Sequence, residues 1–196
     1  MVGLTRTLDS HMDDHTPTLE ELLGRTDLKN CSIAELFSVG DRLMASGACA
    51  RALAILTWFG LPKTVSDQAA HSSTWFKIAQ CHFGLQRLAT AWLTADRAKR
   101  LNANNVDAWE LQANISWRLG NLSDAQSLYS MAIFHALQEK PERRSSLYRC
   151  YSELLREAGE HTLAAHNRLR ADRILELAAR SMRCVPEATE KTTVQG

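Results

Sequence analysis

The 196-residue chain is predicted to be all-α, an array of helical hairpins packed side by side. Three observations predict this. Residues recur at a fixed interval, glycines fall at matching places inside each interval, and capping sequences stand where helices should begin.

The interval comes first. Offsetting the sequence by 34 residues superimposes Trp75 on Trp109, Ala79 on Ala113, Ala91 on Ala125 and Ala98 on Ala132. Four coincidences in one register mark a repeat, and a period of this size belongs to helix-turn-helix units that bury their apolar faces only by stacking. A large aromatic opens the inter-repeat core on the first helix, and alanines sit where helices cross closely. Leu36, Val39-Gly40, Leu43, Gly47, Ala52 and Leu56 follow the same internal spacing upstream. Tyr148, Tyr151-Ser152, Leu155, Gly159, Ala164 and Ala171 follow it downstream. Repeat starts at Ile33, Ser72, Val106 and Ser145 are separated by 39, 34 and 39 residues. The two longer steps hold Pro62 and Pro141, which predicts loops there.

Gly47, Gly120 and Gly159 occupy the turn inside a repeat, where a residue free to take positive φ ends a helix at low cost. The second repeat has Gln86 at that place and Gly84 two residues earlier. Ser32-Ile33-Ala34-Glu35 has the form of a capping box, as does Ser123-Asp124-Ala125-Gln126. The expected elements are a leader helix from about Pro17 to Leu23, four hairpins, and a long last helix from about His161 to Arg183 that covers the apolar end of the stack. One domain is expected over 17–184, flanked by flexible polar tails at 1–16 and 185–196.

Composition narrows the function. With 23 basic and 22 acidic residues the net charge is +1, so no overall field favours a nucleic acid or an anionic membrane. Cys31, Cys49, Cys81, Cys150 and Cys184 are odd in number and scattered, which suits reduced thiols better than a disulfide framework or a zinc site. Met1 to Glu20 lacks the basic and apolar regions of a signal peptide, and no apolar run approaches the roughly 18 residues that span a bilayer. A cytoplasmic location is the expectation, without membrane insertion.

No catalytic, metal or cofactor site stands out. His11 and His15 have a helical spacing suited to a metal but lie in the polar tail, and His161 and His166 do not share a helix face. No glycine-rich phosphate loop, nucleophile elbow or paired carboxylates occur, so an enzyme is not expected. The many arginines between Arg143 and Arg183 are interleaved with Glu142, Glu153, Glu157, Glu160, Asp172 and Glu176, the pattern of an ion-paired surface rather than of an RNA-binding one.

The repeat resembles the tetratricopeptide family through Trp75, Ile78, Ala79, Ala91, Ala98 and Asn104-Asn105 in one unit. Trp109, Ala113, Gly120, Ala125, Tyr129 and Ala132 carry the resemblance in the next, and it extends over about Ser32 to Arg173. It departs from the family at the repeat-terminal proline, which is Ala103 here. The resemblance implies a right-handed superhelix whose concave face, lined by the first helix of each unit, binds peptides.

A narrower likeness is to class II chaperones of bacterial type III secretion, through a leader helix, Leu36-Phe37, and Trp75-Phe76-Lys77-Ile78-Ala79-Gln80-Cys81-His82-Phe83-Gly84. It implies a cytoplasmic chaperone that keeps a hydrophobic translocator subunit in solution and dimerises through its N-terminal helix. The acidic balance of those chaperones is missing, and a fourth hairpin and a long final helix are added.

On that geometry the groove candidates are Phe37, Asp41, Met44, Phe76, Gln80, Phe83, Asn114, Trp117, Arg149 and Arg156. Apolar side chains of a client would enter between Phe37, Met44, Phe76 and Phe83, while Arg149 and Arg156 meet an acidic flank. Aromatics at this spacing also serve as core, the assignment given to Trp75, Trp109 and Tyr148. Two further readings compete: a scaffold joining folded partners, and RNA-linked binding through the last hairpin.

Overall fold

The computed structural model describes residues 33–59 and 68–183. The leader helix, both tails, Pro62 and the first capping box's Ser32 therefore lie outside the described residues. The described chain forms eight helices and one 3-10 turn, with no strand among them. They are α1 (Ile33–Ala45), α2 (Cys49–Phe59), α3 (Gln68–Gly84), α4 (Leu88–Leu101), α5 (Val106–Arg118), α6 (Leu122–His135), the 3-10 turn Ala136–Gln138, α7 (Pro141–Glu157) and α8 (His161–Arg183). Consecutive helices pair into four hairpins, and each hairpin packs on the next. This is the tetratricopeptide-type array that the period predicts.

Two details differ from expectation. α3 and α7 begin at Gln68 and Pro141, four residues before the repeat starts read from the sequence, so most of each insertion becomes an extra helical turn. Pro141 is thus the first residue of a helix rather than part of a loop. Its missing N–H costs nothing there, because the first-turn N–H groups have no intrahelical acceptor. The second capping box does not form: α6 starts at Leu122 after Asn121, and Ser123 lies inside the helix, its carbonyl accepting from Ser127 Oγ.

The turns behave alike. Gly47, Gly120 and Gly159 take φ of 78°, 79° and 83°, and Gln86 takes 58° in the second unit. Gly84 has a separate role. A Cβ there would lie 2.5 Å from Cys49 Sγ, so glycine lets the end of α3 approach the start of α2.

The core is a row of interfaces rather than one central mass. Ala52, Leu56, Ile78 and Cys81 seal the first hairpin to the second, with Phe37, Met44 and Trp75 half-buried against them. Ala79, Ala91, Ala95, Leu111 and Ile115 join the second to the third. The third meets the fourth through Val106, Ala132, Ala136 and Leu147 at one end and through Ala113, Ala125, Tyr129 and Leu154 at the other. Burial pushes the Cys81 thiol up to about 12, with the neighbouring Cys49 adding to the effect.

Candidate functional site

The first helices α3, α5 and α7 line a cleft of about 360 Å³. Phe76, Lys77 and Gln80 come from α3, Asp107, Glu110, Leu111 and Asn114 from α5, and Arg143 from α7. Helical periodicity places them together: positions 76 and 80, and 107, 110, 111 and 114, share a face on their helices.

Phe76 and Leu111 form the apolar part of the cleft, and both pack into the second inter-hairpin core. Asn114 is held from behind, because the buried Tyr129 hydroxyl donates to its Oδ1 at 2.5 Å. Gln80 Oε1 is buried without a hydrogen-bond partner. A buried acceptor without a partner costs stability wherever it lies.

Charge frames the cleft. Arg143 reaches from α7 to Asp107 and to Glu110 Oε2, the latter at 2.6 Å. Burial works against the Arg143 charge, but the hydrogen bond and charge of Glu110, and then Asp107, more than offset it and hold its pKa above the ordinary arginine value. Lys77 pairs with Asp41 across α3 and α1.

Of the ten groove candidates, Phe76, Gln80 and Asn114 come together here. Phe37 and Met44 are half-buried against the first interface. Phe83 is half-buried in the second, with the Arg118 guanidinium 4.3 Å above its ring. Trp117 packs on the third interface, and its indole N–H donates to Glu157 Oε2 at 2.7 Å. Asp41 is taken up by Lys77.

Arg149 does not wait for an acidic flank, because it binds Asp172 of the last helix at 3.0 Å. Arg156 lines a different cleft, between α7 and α8. The groove is therefore more polar than a strip of phenylalanines suggests. The other lining residues, Lys77, Asp107, Glu110, Leu111 and Arg143, were not among the sequence candidates. Glu110 lies one helical turn before the candidate Asn114, so spacing alone puts it on the same face, whereas Arg143 precedes its repeat start and reaches the cleft only through the extra turn of α7.

Among the described residues no group of three or more His, Cys, Asp or Glu side chains comes together as a metal site requires. No described helix is long and apolar enough to cross a membrane.

Fold and cleft together define a helical-hairpin repeat array of the tetratricopeptide type. Among solved structures the chain is similar to MamA, a tetratricopeptide-fold protein, at 18% identity over 83% of this chain and 87% of that one, with a TM-score of 0.62. A second MamA structure matches at 17% identity over 90% and 85%, with a TM-score of 0.60. MamA from Desulfovibrio magneticus RS-1 matches at 12% over 81% and 82%, also at 0.60. At these identities the likeness is one of fold. No family model matches the sequence, and no curated protein matches it significantly.

Proposed function

We propose that this array is a non-enzymatic chaperone-type binding protein that holds an extended or helical segment of a client protein in its concave cleft. The observation that carries this reading is the meeting of α3, α5 and α7 in one cleft around half-buried Phe76 and buried Leu111, with Lys77, Gln80, Asn114 and Arg143 beside them. An apolar side chain of the client packs on Phe76 above the buried Leu111, and polar flanks meet Lys77, Gln80 and the Arg143 cluster. Each well-buried apolar anchor contributes about 1.5–3 kcal/mol, so a few anchors give roughly micromolar binding after the entropy of association is offset. The specific form of this role suggested by the sequence layout is the holding of a hydrophobic secretion translocator in the cytoplasm, with dimerisation through the N-terminal segment.

The test is co-expression with a candidate client. Phe76→Glu places a carboxylate on the cleft floor and is expected to abolish the complex, with the helical circular dichroism signal retained. Gln80→Arg, which extends a charged side chain into the cleft, is expected to weaken it. If both variants bind the client as the parent does, the concave cleft is not the client site.

A scaffold role is favoured by a different observation. Met131, Phe134 and Leu137 follow one another at three-residue spacing near the end of the third hairpin, and Phe134 and Leu137 are 62% and 57% exposed. A folded partner seated on this patch would survive Phe76→Glu and be lost on Phe134→Ser.

A further inference from the structure

The groove of the last hairpin has the shape of a helix-receiving interface but the wrong chemistry for the helices that fill the others. In the first three hairpins the groove between the two helices receives the first helix of the next unit. One groove position is Leu56, then Ala95, then Tyr129, each fully buried. The incoming residues are Cys81 on α3, Ile115 on α5 and Leu154 on α7, packed in the same clusters. A second groove position is Met44, Phe83 and Trp117, and a third is Cys49, Leu88 and Leu122.

Following the same steps of 39, 34 and 39 into the fourth hairpin replaces these residues with Arg168, Arg156 and His161. All three are exposed and line a cleft of about 390 Å³ with Ser152, Glu153, Ala164 and Ala165. Ser152 Oγ donates to the Ala164 carbonyl at 2.9 Å and fixes the two walls. Arg143, Arg149 and Arg100 have carboxylate partners. Among the described residues none is found for Arg156, His161 or Arg168.

We infer that this terminal groove docks an acidic helix of a partner protein, with its carboxylates against Arg156, Arg168 and His161 and its small residues over Ala164 and Ala165. A solvated end to a repeat array needs only polar side chains. Here the three positions that contact an incoming helix are two arginines and a histidine, and two guanidinium groups on facing helices match carboxylates bidentately. A second copy stacked in superhelical register is the poorer occupant. The α1 residue equivalent to Leu154 is the exposed Arg42, which would land on Arg168. Like charges in contact disfavour that pairing.

The surface is separate from the concave cleft, so the test distinguishes the two. Isotope-labelled full-length protein is titrated at low salt with an alanine-rich peptide of roughly five helical turns bearing glutamates along one face. Amide shifts are expected at Ser152, Arg156, His161, Ala164 and Arg168. Arg156→Glu with Arg168→Glu is expected to weaken binding at least about tenfold, while Phe76→Ala leaves it unchanged. The inference is overturned if the shifts map elsewhere, if charge reversal has no effect, or if a single-stranded oligonucleotide binds the same groove more tightly than the peptide. Self-association abolished by the same charge reversal would also overturn it, by making a second copy the occupant.

Discussion

Gln86 holds in the second hairpin the left-handed turn that Gly120 holds one repeat later, with φ of 58° against 79°. A side chain in that conformation costs roughly 1 kcal/mol that glycine does not incur. Its amide does little to offset this, since the Arg118 contact to Gln86 Oε1 is a long 3.4 Å. Gln86→Gly is therefore expected to raise stability by about 0.5–1 kcal/mol in urea denaturation. A loss of stability would show that the Arg118 contact outweighs the turn strain.

Gly84→Ala is expected to destabilise by about 1–3 kcal/mol, because the new methyl would collide with Cys49 Sγ. Cys49→Ala in the same chain removes the obstacle and should recover most of the loss. Additive effects in that double-mutant cycle would place the strain somewhere other than this contact.

Tyr129→Phe deletes the hydroxyl that donates to Asn114. The expected cost is about 0.5–1.5 kcal/mol of stability. Because Asn114 lines the concave cleft, client binding should weaken as well. Unchanged affinity would mean that Asn114 needs no support from behind.

Acid should loosen the second hairpin through His82. Burial lowers its pKa from the ordinary value of 6.5, Arg87 adds to the effect, and Nδ1 is buried without a partner. The folded state thus prefers the neutral ring, and the unfolded chain takes up the proton first. The contribution to stability is full above pH 6.5 and is lost as pH falls below it. Between pH 7 and about 5.5, melting temperature should fall less in His82→Gln than in the parent. Parallel curves for the two proteins would exclude His82 as the cause.

Much of the architecture was legible because packing and repetition act on the same residues. Trp75 and Trp109, Ala79 and Ala113, and Ala91 and Ala125 recur because each fills an equivalent place between hairpins, so the period exposes the stack directly. Gly47, Gly120 and Gly159 announced their turns because few other residues tolerate the required φ. The cleft was harder to read. Which helical residues face a groove follows from phase, and phase places Phe76, Gln80 and Asn114 along one cleft. What those residues do depends on long side chains arriving from other helices. Arg143 reaching Asp107 and Glu110, and Arg149 turning to Asp172, arise from tertiary geometry that no local spacing encodes.

The joints between hairpins are not fastened alike. Asp41–Lys77 ties α1 to α3 and Asp107–Arg143 ties α5 to α7, both by charge. At the boundary between the second and third hairpins the ties are hydrogen bonds and cation–ring contacts rather than carboxylate pairs: Asn105 Nδ2 donates to Ser72 Oγ and Gln112 Nε2 to the Trp92 carbonyl, while Lys99 lies over Trp109 and Arg118 over Phe83. Ionic strength acts more on the former than on the latter. Added salt should therefore slacken the two outer joints around a centre that keeps its spacing, so that the curvature of the molecule, and the girth of segment it can embrace, becomes a property of the medium.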